Sequence, residues 1–165
     1  MGEAVELQKQ VNSDEKYSYV VAGAILKCSC SDTYSVLTAP LSHGVYIKGK
    51  AQLNIMDFKP DDNIRSFGKC KSLKNPSVAK ATSIAYSLAL GFIFPGFGIL
   101  NAALNSTGIF IPGPVVEMPC VPVTTTQWIN GKDDKLVEEF PALLNISKNM
   151  CAYAGEITIV DDGQE

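Results

Sequence analysis

The chain reads as a small, mainly β domain carrying one helical, apolar insertion. Three observations predict this. Between Tyr17 and Met56, and again from Val123 onward, β-branched and aromatic residues come in short runs cut by Gly, Pro, Asn and Asp, the pattern of strands joined by tight turns. From Asn75-Pro76 the pattern changes to an Ala-rich stretch, and no charged residue occurs between Ala81 and Val116. A length of 165 residues sets one domain with a modest core.

The domain organisation follows from the same reading. Residues 1–16 are polar, acidic and without β signal, a tail that docks or hangs free. Residues 17–165 form the folded unit, with the apolar insertion at about 81–116. Tyr17 to Cys30 is aromatic and β-branched around Gly23, which predicts strand, bulge, strand. Cys28 and Cys30 are two apart and so share one face of that strand. A turn at Ser31-Asp32 leads to Tyr34–Thr38.

Ser42–Lys50 reads as half of a hairpin and Ala51–Met56 as its partner, since Leu53 and Ile55 alternate with Gln52 and Asn54. The stretch Asp57–Pro76 is too rich in Pro, Asn, Asp and Gly for a helix. It begins with a tight turn at Lys59-Pro60-Asp61-Asp62, continues with Asn63-Ile64, and bends at Phe67-Gly68 just before Cys70. A cysteine directly after a Gly turn sits as a metal-knuckle ligand does, because the turn aims successive polar groups at one centre.

Pro76 after Asn75 is a helix start, and Val78–Leu90 is helix-compatible. Ile84–Leu104 is long enough to cross a membrane, yet Gly91, Pro95-Gly96 and Gly98 break it. A helical hairpin or Gly-rich apolar loop buried against a partner fits better, because so large an apolar surface is not left in water on a monomer. Ile109–Pro122 is extended and proline-punctuated. Val123–Ile129 is a Thr-rich strand carrying Trp128, a packing residue, and closes at the Asn130-Gly131 turn. Asp133–Glu139 reads as a charged surface loop, Phe140–Leu144 returns to the core, and Cys151–Val160 is the final strand.

A net charge of −3 and the lack of a basic cluster argue against a nucleic-acid partner. The start has no apolar core of a signal peptide, and Glu6 stands where myristoylation needs Ser or Thr. The expectation is therefore a chain that begins in the cytoplasm. Five cysteines in that reducing compartment point to metal or free thiols before disulfides. A thiol hydrolase built on a cysteine and His43 lacks both a strand-to-helix nucleophile site and an orienting residue near the histidine. Asp57, Asp61 and Asp62 lack calcium-loop spacing and read as turn formers.

Several blocks together resemble the cysteine-bearing PAAR-like proteins of contractile injection machines. They are Gly23–Cys28; Asp57-Phe-Lys-Pro with Asn63-Ile64 and Phe67–Pro76; Pro119-Cys120-Val-Pro122 with Trp128; Pro141–Leu143 with Ser147; and Cys151 with Gly155–Ile159 and Gly163-Gln164. The resemblance covers most of Tyr17 to Gln164. It implies a small β cone that caps the trimeric spike of a type VI secretion system or a phage-tail-like particle. Such a tip is non-enzymatic, assembles in the cytoplasm, leaves with the apparatus, meets a target membrane transiently and is able to carry an effector or toxin. The long apolar insertion and the start 1–16 depart from the family pattern, so the docking mode stays open. An adaptor or chaperone-like module, holding an effector or a membrane through its insertion, is the alternative.

The resemblance also implies zinc. A sharp cone has little volume at its apex, and a tetrahedral ion cross-links segments distant in sequence. The expected ligands are Cys28, Cys70, Cys120 and Cys151, with Cys30 and His43 in reserve, since Ser42-His43-Gly44 is similar to the His-Gly of ordinary PAAR proteins. The competing reading makes these cysteines small buried hydrophobes, as free cysteines commonly are.

Overall fold

The computed structural model describes residues 17–93 and 115–165. The expected tail, 1–16, and the middle of the insertion, 94–114, lie outside the described residues. Among the described residues the architecture is mainly β, as predicted, with one helix. In chain order the elements are β1 (Ile25–Cys28), β2 (Tyr34–Val36), β3 (Tyr46–Ile47), β4 (Lys50–Ala51), β5 (Lys69–Cys70), α1 (Pro76–Ile93), β6 (Met118–Pro119), β7 (Lys132–Val137), β8 (Phe140–Ala142), β9 (Lys148–Met150) and β10 (Glu156–Asp161).

A four-stranded sheet ordered β2-β1-β10-β9 is antiparallel throughout. Alternation decides its faces. β1 buries Leu26 and Cys28 and exposes Lys27, while β10 buries Ile157 and Ile159. Gly23, whose φ is 101°, sits in a turn rather than in the expected bulge between two strands, and the register shifts just after it, between Ile25 and Leu26. Three two-stranded ribbons, β3-β4, β5-β6 and β7-β8, accompany the sheet. Between them, single bridges such as Leu37 with Ile64 and Thr124 with Cys151 stand in for longer ladders. Proline and glycine recur too often for longer ones to form.

Leu26, Leu37, Leu53, Ile64, Phe67, Trp128, Leu143 and Ile157 make the core. Trp128 is buried and donates its indole N–H to the Asp57 carbonyl at 2.9 Å, which satisfies the one polar atom its ring carries.

Three boundaries differ from the sequence reading. The first hairpin turns at Lys48-Gly49, both left-handed with φ of 50° and 81°, so its strands are β3 and β4 and the pairing ends early. The charged stretch 133–139 is no loop. It is most of β7 and the tight turn Glu138-Glu139, whose φ values are 50° and 70°. Asp133, Asp134 and Leu136 are exposed while Val137 is buried, a solvated strand that its charges disguise. The Thr-rich segment 123–129 contributes isolated bridges at Thr124 and Ile129 rather than a strand.

α1 begins as predicted. Asn75 Oδ1 accepts the Ser77 N–H at 3.0 Å and its carbonyl accepts the Ala79 N–H, with Pro76 at the position that has no N–H to satisfy. The helix buries Val78 and Thr82 and exposes Ile84, Leu88 and Phe92, the last 94 % exposed. Positions four apart share one helical face. Thr82 Oγ1 accepts the Val116 N–H at 2.9 Å, tying the returning chain to the helix. Among the described residues no helix is long and apolar enough to cross a membrane.

Candidate functional site

The sheet has one end where several segments stop together. Cys28 ends β1 and faces Ile157 at the start of β10, and the turn from Cys151 to Gly155 joins β9 to β10 at that same end. A β-turn closed by the Ser31 N–H on the Cys28 carbonyl, 3.1 Å, folds Cys30 back over it. The β5-β6 ribbon supplies the opposite wall. Cys70 ends β5 after the left-handed Gly68, and Cys120 follows β6 with its N–H on the Gly68 carbonyl at 2.8 Å.

All five cysteines, all free thiols, line one cavity of about 10 Å³ together with Phe67, Pro122, Tyr153, Gly155 and Ile157. That volume is about one water at most. Burial, the largest influence, pushes the Cys28 thiol up to about 11, against the pull of a Cys30 backbone N–H on its sulfur. Burial likewise raises Cys120, whose sulfur accepts the backbone N–H of Phe67. Cys151 Sγ accepts the Val123 N–H at 3.4 Å. Neutral thiols in an apolar wall are the state this environment favours.

The zinc expectation is corrected here. The structure brings Cys28, Cys70, Cys120 and Cys151 together, with Cys30 beside them. Yet among the described residues no group of three or more His, Cys, Asp or Glu side chains is disposed to hold a metal ion. A zinc ligand must be a thiolate, and burial opposes that form at Cys28 and Cys120. The cysteines instead behave as small apolar side chains filling the end of the fold. Gly155 illustrates the closeness: a Cβ there would lie 2.6 Å from Cys28 Sγ and 3.6 Å from Cys30 Sγ.

His43, the other reserve ligand, belongs to a different centre. Its Nε2 meets Asp57 Oδ2 at 2.9 Å, and its Nδ1 is hydrogen-bonded to Glu138 at the β7–β8 turn. Asp57 is 6 % exposed. Its Oδ2 also accepts the Asn54 N–H at 2.9 Å, and its Oδ1 accepts from the Asn63 side-chain amide at 3.3 Å. Asn54 in turn donates to the Val137 carbonyl at 2.9 Å. Burial lowers the readiness of His43 to protonate and is its largest single influence. The hydrogen bonds and charges of Asp57 and Glu138 together outweigh it and leave the histidine above its ordinary value.

Sequence reasoning took Asp57 for a turn former and missed its burial. The local signal was there, in Asn54, Asp57 and Asn63 spaced as an Asx-rich turn cluster. Glu138 carried no signal, since its role depends on a hairpin hidden under charge.

The arrangement therefore pairs a closed, apolar end of thiols with a buried carboxylate that ties loops together. No curated protein and no solved structure matches this chain. The family model described as a domain of unknown function, DUF4280, matches residues 20–164. That range runs from the first core valine to the C-terminal Gly163-Gln164, through every thiol and the Asp57 centre, and the chain belongs to the DUF4280 family.

Proposed function

We propose that this protein is a non-enzymatic, PAAR-like tip of a contractile injection machine, seated on a trimeric spike as one copy per three spike chains. The carrying observation is one of convergence. Blocks that support the resemblance in sequence, at Cys28, at Cys70, at Cys120 and Pro122, and at Cys151, Gly155 and Ile157, meet around one cavity at one end of the four-stranded sheet. Many short segments stopping together is what a narrowing end requires, because a tapered volume leaves room only for small side chains. The β1–β10 ladder reaches this end at Cys28 and Ile157, and thiols and a proline close it.

The apolar stripe Ile84, Leu88 and Phe92 supplies docking area on the same reading. The test is reconstitution with a purified trimeric spike. A stable complex with one copy per trimer is expected, weakened by Leu88→Asp without loss of fold. No complex at any ratio overturns the tip. That exposed stripe equally favours an adaptor that carries an effector or lies on a membrane, which would bind effector or vesicles and ignore the spike.

A further inference from the structure

We propose that Cys28 and Cys30 form a reversible dithiol–disulfide couple, a redox modification site whose oxidant is a low-molecular-weight disulfide. The inference is independent of the spike reading. Three observations carry it. The β-turn that puts the Ser31 N–H on the Cys28 carbonyl draws residue 30 back toward residue 28, shortening a separation that an extended Cys-x-Cys would leave too wide for a bridge. Both sulfurs lie against the same bare face of Gly155, 2.6 Å and 3.6 Å from where a Cβ there would sit. Of the five thiols, Cys30 is half-buried and the other four are buried, so an oxidant from solution reaches Cys30 first.

Cys30 is also loosely held. Among the described residues its sulfur's hydrogen-bond contacts are long, 3.9 Å to Ser29 Oγ and 3.9 Å to the Ala154 carbonyl, so rotation toward Cys28 breaks no strong hydrogen bond. Cys28 Sγ is already within reach of the Cys30 backbone N–H.

The step balances. The Cys30 thiolate attacks the small disulfide, forming a mixed disulfide and releasing one small thiol. Cys28 then gives its proton to solvent and attacks Cys30 Sγ, forming the Cys28–Cys30 bond and releasing the second small thiol. Two protein thiols are oxidised and one small disulfide is reduced to two thiols. Burial keeps Cys28 protonated, so the second step is the slow one, because exchange runs through the thiolate. A bridge across a single intervening residue is strained, and strained disulfides are the readily reduced ones.

The experiment incubates the folded full chain with oxidised glutathione and follows intact mass, then digests after alkylation of the remaining thiols. A transient glutathione adduct giving way to a product lighter by two hydrogens is expected, with Cys28 and Cys30 alone protected from alkylation and with recovery on adding reduced glutathione. Cys28→Ser should trap the adduct on Cys30, and Cys30→Ser should slow the reaction at least tenfold. A lasting adduct on the unaltered chain, a bridge to Cys70, Cys120 or Cys151, or no reaction while the fold is intact would each overturn the couple.

Discussion

The thiol end and the Asp57 centre solve one problem by opposite means. Each must hold segments that strands two to six residues long do not hold by pairing alone. At the thiol end the solution is exclusion: five sulfurs, Phe67, Pro122, Tyr153 and Ile157 fill space, and burial keeps Cys28 and Cys120 uncharged. At Asp57 it is satisfaction. A buried carboxylate gathers the His43 ring, the Asn54 N–H and the Asn63 amide, while its own backbone carbonyl takes the Trp128 indole N–H. Packed thiols share their energy among many weak contacts, each about 0.1–0.2 kcal/mol per atom pair. A buried ion with partners is all or nothing, since removing one member strands the others. The difference teaches that the two ends should fail differently.

The largest effect is expected at the charged centre. Asp57→Ala leaves the Asn54 N–H, the Asn63 amide and one face of His43 unpaired in the interior, a loss of about 3 kcal/mol or more. Equilibrium urea unfolding checks it. A loss under about 1 kcal/mol, the size of an exposed pair, would mean that water replaces the carboxylate and that packing alone holds both ends.

The next tests whether the thiol end is as tight as its contacts imply. Gly155→Ala puts a methyl 2.6 Å from Cys28 Sγ, and overpacking of this kind costs about 1–3 kcal/mol. Cys28→Ala should absorb much of that cost, so the double variant is more stable than the sum of the singles predicts. Additive losses would show slack at this end and a different origin for the Gly155 effect.

Both ends were partly legible in the sequence, for reasons that differ in the same way. The thiol end was visible because turn residues mark it: Gly68 before Cys70, the prolines around Cys120, and the strand ends at Cys28 and Cys151. The family resemblance grouped those cysteines at one site and misjudged their chemistry, because it says where a sulfur sits and not whether its surroundings favour a thiolate. The Asp57 centre was half visible. An Asx-rich turn could be read, but His43 and Glu138 reach it from 14 and 81 residues away in the chain, and only the fold supplies such neighbours. The same limit hid the β7–β8 hairpin, where Lys132, Asp133, Asp134 and Lys135 mask the strand period. The helix was legible from its cap, whereas its exposed stripe at Ile84, Leu88 and Phe92 emerged only from the fold.

The smallest predicted effect separates the exposed partner of His43 from the buried one. Glu138 is 64 % exposed at its side chain, Asp57 only 9 %, so Glu138→Gln should cost under about 1 kcal/mol. The pH dependence is more telling than the size. His43 holds its proton more firmly folded than unfolded. Its stabilisation is therefore complete below about pH 6.5, the ordinary histidine value, and is lost as pH rises through the higher folded value. Glu138→Gln removes one of the two carboxylates that raise the folded value, so the loss should be complete at lower pH. Urea midpoints measured from about pH 5.5 to 9 should show the two proteins furthest apart at the acid end, where His43 is charged, and converging once it is neutral. A gap that stays constant, or widens with pH, would mean that the Glu138 contact steadies the β7–β8 turn without pairing a charge, and the Asp57 centre would then stand on its buried partners alone.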